Sequence, residues 1–174
     1  VSREYLLSLK AKLDVHPVKI SALGYYPNPL DPNETQAAFY REHIKPAPGL
    51  LEFLKRLRAQ GIKTALATSA GPGNIDFIVD GLGIREQFDA IIGGAEVQKG
   101  KPDPEIYLKA ADLVGINPSA CWVIEDSLQG ITAGQAAGMR VVGISTSHTA
   151  AELAHTDVVR PDFVDLFETL VNCQ

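Results

Sequence analysis

The decapeptide Cys121-Trp122-Val123-Ile124-Glu125-Asp126-Ser127-Leu128-Gln129-Gly130 is an apolar run that ends in two adjacent carboxylates and a small-residue turn. Two acids at a strand's end repel each other and cost desolvation, so they are best tolerated beside a cation, a basic side chain or solvent. Acids that simply face water are the plain alternative, and the decapeptide alone does not decide between them. Thr68-Ser69 precede Ala70-Gly71-Pro72-Gly73-Asn74, where backbone donors and a helix start suit an anion. A hydroxyl that merely caps the helix is the simpler reading there. Lys101 stands before Pro102-Asp103-Pro104, a rigid helix start that would aim its ammonium, with Lys99 as competitor and a solvated surface charge as the alternative for either. Together the hydroxyl, the ammonium and the carboxylate pair suit an anionic substrate held beside a divalent cation. Glu125 and Asp126 offer the hard oxygens magnesium prefers, but two ligands do not complete its shell. His16, His43, His148 and His155 show no metal spacing, and no nucleophile elbow or triad order is present.

The elements that must position these residues are legible in the rhythm of the chain. From Gly49 onward, helices and strands alternate: a helix over 50–61, a strand over 62–68, a helix near 73–82 and a strand over 89–92. A helix near 103–114, the strand Cys121–Ile124, a helix near 128–137 and the strand Arg140–Ile144 follow. A helix near 148–154, a short strand over 157–159 and a last helix near 162–171 complete the pattern. Alternation with short joints is the form of βαβ units on a largely parallel sheet, an α/β fold. Ligands collect beyond the carboxyl ends of such strands, where all three stretches fall. Before Gly49, a short helix over 1–13 and another over 34–44 flank a proline-rich loop at 14–33. Lys45-Pro46-Ala47-Pro48-Gly49 is the expected domain boundary.

Composition narrows the function class. With 174 residues, 45% hydrophobic and 21% charged, the chain can bury one real core. Its net charge of -5 and scattered basic residues argue against nucleic acid or an acidic membrane as partner. No apolar stretch is long enough to span a bilayer, and the two cysteines, Cys121 and Cys173, suggest neither a disulfide framework nor a metal knuckle. A reducing, cytoplasmic setting is the expectation.

The order "ALATSA" then "GKPDPEIYLKAADLVGINPSACWVIEDSLQGITAGQAAGMRVVGIST" resembles the haloacid dehalogenase-like superfamily, in its phosphatase and β-phosphoglucomutase branch, over about residues 46–171. The resemblance implies a Rossmann-like three-layer α/β/α core at 46–174 with a mainly parallel sheet, and a partial helical cap at 1–45. It assigns Thr68, with Ser69 beside it, to contact with the transferred phosphoryl group. Lys101 is assigned to neutralising the phosphoryl oxygens and the nucleophile, and Glu125 and Asp126 to the magnesium site, directly or through water. It implies Mg2+ as cofactor, a small phosphorylated metabolite such as a sugar phosphate as substrate, and a monomer or weak dimer. One departure stands out, because the family's first strand ends in Asp-x-Asp and no such motif occurs here. The nearest match, Leu13-Asp14-Val15-His16-Pro17, has histidine at the second position. The chain is therefore expected to begin inside the cap, with the nucleophile strand upstream and a central slot between the strands ending at Thr68 and Ile124 that is empty, closed up or filled by residues from the N-terminus. Each unpaired backbone group lining that slot would cost about 1–3 kcal/mol. The expected function is a phosphatase whose nucleophilic aspartate is missing from this segment, leaving it inactive alone. A phosphomutase of the β-phosphoglucomutase kind and a non-catalytic domain of the same fold are the alternatives.

Overall fold

The computed structural model describes the backbone of residues 18–20 and residues 45–172. Six strands form one sheet: β1 (Val18–Ile20), β2 (Ala65–Ala67), β3 (Ala90–Ile92), β4 (Trp122–Glu125), β5 (Arg140–Ile144) and β6 (Val158–Arg160). Their order is β3-β2-β1-β4-β5-β6 and every neighbouring pair is parallel. This is the doubly wound arrangement, in which strand order reverses direction between β1 and β4 and opens a crevice at their carboxyl ends.

Among the described residues, five helices cover the sheet: α1 (Leu50–Ala59), α2 (Pro72–Gly81), α3 (Glu105–Leu113), α4 (Leu128–Ala136) and α5 (Leu166–Asn172). Successive residues in a strand point to opposite faces, and the two cores follow that alternation. Leu66, Trp122, Ile124, Val142 and Ile144 face one layer with Leu54 and Leu57 of α1, Val79 of α2 and Leu170 of α5. Ala65, Ala67, Val123 and Val141 face the other with Ile106, Tyr107 and Ala110 of α3 and Ile131 of α4. The three-layer α/β/α architecture is thus present. Gly61, Gly83, Gly115 and Gly138 close α1 to α4 at φ values between 63° and 71°, as the sequence pattern predicts.

Two expectations need correction. Val18–Ile20 falls in the segment read as a loop, yet it is a strand of the core sheet and fills the slot between β2 and β4 from the N-terminal side. Ile20 is level with Leu66 of β2 and Ile124 of β4, and Lys19 with Val123. The physical reason is the ladder: β2 and β4 present buried edges whose backbone groups need partners, and Val-Lys-Ile supplies them. Pro17 does not forbid this, since a proline is tolerated at the start of a strand. The second correction concerns 148–154, where the chain makes turns and no helix. Thr149 and Glu152 do form a reciprocal cap, Thr149 N–H donating to Glu152 Oε2 at 2.8 Å and Glu152 N–H to Thr149 Oγ1 at 3.3 Å. The Thr156 hydroxyl then donates to the carbonyls of Leu153 and Val158, both at 2.9 Å, turning the chain back into β6 after one turn. The helices expected over 1–13 and 34–44, the candidate cap residues Tyr25, Tyr26 and His43, and also Asp14, His16 and Cys173 lie outside the described residues.

Candidate functional site

The carboxyl edge of β4 is built around Glu125. The strand is buried along its whole length, and Glu125 is 2% exposed, Asp126 7%. A lone buried carboxylate would be prohibitively costly, and five donors compensate this one. Oε1 receives the Lys101 ammonium and, at 2.8 Å, the Tyr107 hydroxyl. Oε2 receives Asp126 N–H at 3.0 Å, and Ser127 N–H and the Ser127 hydroxyl at 3.1 Å each. Burial pushes the Glu125 carboxyl up, but the Lys101 charge and the hydrogen bonds from Lys101, Ser127 and Tyr107 outweigh it and hold the group below the ordinary carboxylate range.

Ser127 also caps α4, its hydroxyl oxygen accepting Gly130 N–H at 3.1 Å. Gly130 sits against the carboxylate so closely that a Cβ there would overlap Glu125 Oε1 and Cδ and come within 2.7 Å of Oε2. Only glycine lets the first turn of α4 close over this group.

Lys101 enters from the loop between β3 and α3. Glu105, in the first turn of α3, accepts Gln98 N–H at 3.0 Å and Lys99 N–H at 2.9 Å, which fixes the loop just ahead of the lysine. The Lys109 ammonium and those two backbone donors depress the Glu105 pKa to about 2. Of the competing lysines, Lys101 points inward with its side chain 9% exposed, while Lys99 is 75% exposed and pairs with Asp103 at 3.8 Å. The Lys101 ammonium bonds Glu125 at the end of β4 and lies 3.4 Å from the Ala67 carbonyl at the end of β2. Those two strands flank β1, so the ammonium spans the switch point of the sheet.

Thr68 and Ser69 leave β2 on the same edge. Thr68 N–H extends the ladder to the Ile92 carbonyl at 3.0 Å, and Gly94 N–H bonds the Ala70 carbonyl at 3.1 Å, stitching this loop to the exit of β3. The Thr68 hydroxyl accepts Ala70 N–H at 3.2 Å and does not cap α2, which starts at Gly71-Pro72 with no side-chain cap. Ser69 is exposed.

Asp126 is held by the loop after β5. Its Oδ2 accepts the Ser147 hydroxyl at 2.5 Å and the Thr146 hydroxyl at 3.2 Å, and His148 Nδ1 lies 3.0 Å from its backbone carbonyl. Tyr107, Gly130 and Thr146 fall inside the stretch that carries the resemblance but have no role assigned to them there, and Ser147 lies just beyond it. His148 was visible only as a residue without metal spacing. The edge therefore gathers Thr68, Lys101, Glu125 and Asp126 from three different strand ends. Among the described residues, no cluster of three or more His, Cys, Asp or Glu side chains is placed to hold a metal ion, and no helix is long and apolar enough to cross a membrane.

Comparison with known proteins places this geometry in context. Residues 5–138 match the haloacid dehalogenase-like hydrolase family. The chain is similar to the bifunctional riboflavin kinase/FMN phosphatase of Arabidopsis thaliana, 36% identical over 126 residues that make up 68% of this chain and 33% of that protein. It is 40% identical to the β-phosphoglucomutase of Bacillus subtilis over 97 residues, 56% of this chain and 42% of that one. Among solved structures it resembles a HAD hydrolase of family IA, variant 3, from Entamoeba histolytica, with a TM-score of 0.72 and 30% identity over 80% of this chain and 68% of that one. The chain thus spans well under two thirds of the length of these two curated relatives.

Proposed function

The chain belongs to the haloacid dehalogenase-like hydrolase family, and from that premise we propose that it is the phosphoryl-binding core of a magnesium-dependent hydrolase for a small phosphorylated metabolite. The observation that carries this reading is the Lys101 ammonium spanning the ends of β2 and β4, with Thr68 on one side and Asp126 on the other. Phosphoryl transfer asks a protein for charge neutralisation and alignment more than for covalent chemistry of its own. In this reading Thr68 and the backbone donors of its loop hold phosphoryl oxygens, with Ser69 at the rim, and Lys101 neutralises their charge.

The residues present fit magnesium in part. Asp126 offers a carboxylate whose Oδ2 is oriented by two hydroxyls, the kind of pre-positioned oxygen that a magnesium ion takes together with waters and substrate phosphate. Glu125 has both oxygens engaged by five donors, so its contribution is indirect, through Lys101 or a water. Bound magnesium would draw charge from the phosphoryl oxygens.

The attacking carboxylate is the remaining requirement. In the family's mechanism it forms an aspartyl-phosphate, and the sequence after β1 reads Ser21-Ala22-Leu23-Gly24, with no acid. β1 takes the central place between β2 and β4, and with no acid at its end we expect the 174 residues alone to be inactive. The division into a cap portion at 1–45 and a core from 46 is proposed with one amendment, that Val18–Ile20 belongs to the core sheet. An assay of purified chain with an aryl phosphate and Mg2+ tests this: no turnover is expected, and turnover abolished by Asp14→Ala would overturn that expectation. The similarity to a β-phosphoglucomutase favours one further reading, a phosphomutase. Incubating the intact protein with a hexose 1-phosphate separates the two, since a phosphatase releases inorganic phosphate and a mutase isomerises.

A further inference from the structure

Tyr107 is one of the largest fully buried side chains, 0% exposed, on α3, which packs against β2 and β3. A buried tyrosine usually spends its hydroxyl on a backbone carbonyl or a water. Here the hydroxyl donates, at 2.8 Å, to Glu125 Oε1, the same oxygen that receives the Lys101 ammonium. The ring meanwhile lies beneath that ammonium, its centroid 5.0 Å from Nζ, within the range in which an aromatic face attracts a cation. One side chain therefore supports the lysine twice, through the carboxylate that anchors it and through its own π face.

We infer that Tyr107 is a positioning residue for Lys101: its hydroxyl locks Glu125 Oε1 and its ring face seats the ammonium, so that the charge stays over the crevice between β1 and β4. Its importance for phosphoryl binding rests on the function proposed above, but the positioning itself does not. Three features make the arrangement more than core packing. Phenylalanine would fill the same volume without leaving a donor to satisfy. The hydroxyl's partner is a charged oxygen, for which a hydrogen bond is stronger than a neutral one. And Glu125 Oε2 is already saturated by Ser127 and the Asp126 amide, so Oε1 alone is left to set where Lys101 rests.

The test measures how readily Lys101 reacts with an amine-selective acylating reagent, resolved by peptide mass spectrometry. Lys63, Lys99 and Lys109, with side chains 53%, 75% and 45% exposed, serve as references in the same sample. In the wild-type chain Lys101 should react slowest of the four. Tyr107→Phe should raise its rate relative to the references about tenfold, the equivalent of one lost hydrogen bond to a charged group. A general loosening of the fold would accelerate acylation at Lys63 and Lys109 as well, which separates positioning from structure. Glu125→Gln is a second variant that keeps shape and removes the anchor's charge, and it should release Lys101 at least as far. An unchanged Lys101 ratio in folded Tyr107→Phe, or in Glu125→Gln should Tyr107→Phe fail to fold, overturns the inference. Repeating the labelling with Mg2+ and tungstate tests the other reading separately. Failure of tungstate to protect wild-type Lys101 would count against the proposed phosphoryl site while leaving the Tyr107 result standing.

Discussion

Replacing Gly130 by alanine should destabilise this fold, although in most helices the same change stabilises it. Glycine in a helix interior costs roughly 0.5–1 kcal/mol relative to alanine, so Gly→Ala ordinarily yields a gain of that size. At Gly130 the new methyl would occupy the place of the Glu125 carboxylate, overlapping Oε1 and Cδ. That carboxylate is 2% exposed and bound by five donors on three sides, so it cannot rotate away without leaving Lys101 buried and unpaired. Breaking one side of a buried ion pair costs about 3–5 kcal/mol. Subtracting the helix gain leaves a net loss of roughly 2–4 kcal/mol, or a fall in Tm of about 4–16 °C for a domain of this size. Urea unfolding and thermal melts followed by circular dichroism measure it. Gly81→Ala, in α2 with nothing within 4 Å of the added methyl, is the matched control and should be neutral or slightly stabilising. A Gly130→Ala variant as stable as wild type would refute the claim that Glu125 is pinned where the geometry puts it.

Further expectations follow from the same contacts. Lys19→Pro removes a ladder donor from a central strand and leaves its buried partner unsatisfied, which should cost about 1–3 kcal/mol and lower Tm accordingly; an unchanged Tm would show that Val18–Ile20 does not complete the sheet. Because the Glu125 carboxyl is held below its ordinary range in the folded state, its contribution is present above the unfolded value and is lost as pH falls below about 4.3. Glu125→Gln, already less stable at neutral pH, should therefore lose stability less steeply on acidification, which denaturant titrations between pH 3 and pH 7, on the order of the unfolded glutamate value and above, will record. Glu105→Ala frees the amides of Gln98 and Lys99, and hydrogen exchange at those two residues should accelerate while the α3 interior stays protected.

How much of this was readable from the chain depends on the range of the interactions. The strands at Leu66, Ile91, Ile124 and Val142 announce themselves through apolar runs bounded by glycine-closed helices, and the parallel order follows from their alternation. The acidic pair, Lys101 and Thr68 are legible because each sits at a strand end beside small or rigid residues. Val18–Ile20 was not legible: three residues directly after Pro17 give no periodicity, and only the need of β2 and β4 for a shared partner makes them a strand. The support shell was equally silent. Tyr107 is 18 residues from Glu125 and looks like any core aromatic at helical spacing, and Ser147 is 21 residues from Asp126, in the joint just before a segment that reads as a helix. Such contacts arise from packing across the sheet, which spacing within one element does not encode.

In the function proposed above, the edge formed by Thr68, Lys101 and Asp126 binds a phosphoryl group with magnesium. A titration of the 15N-labelled chain with inorganic phosphate and Mg2+, followed by amide NMR, tests it most directly. Saturable shifts are expected at Thr68, Ser69, Ala70, Lys101 and Asp126 only when both are present, lost in Asp126→Asn and in Lys101→Met. Shifts that are absent at these amides, or that persist unchanged in both variants, would contradict it.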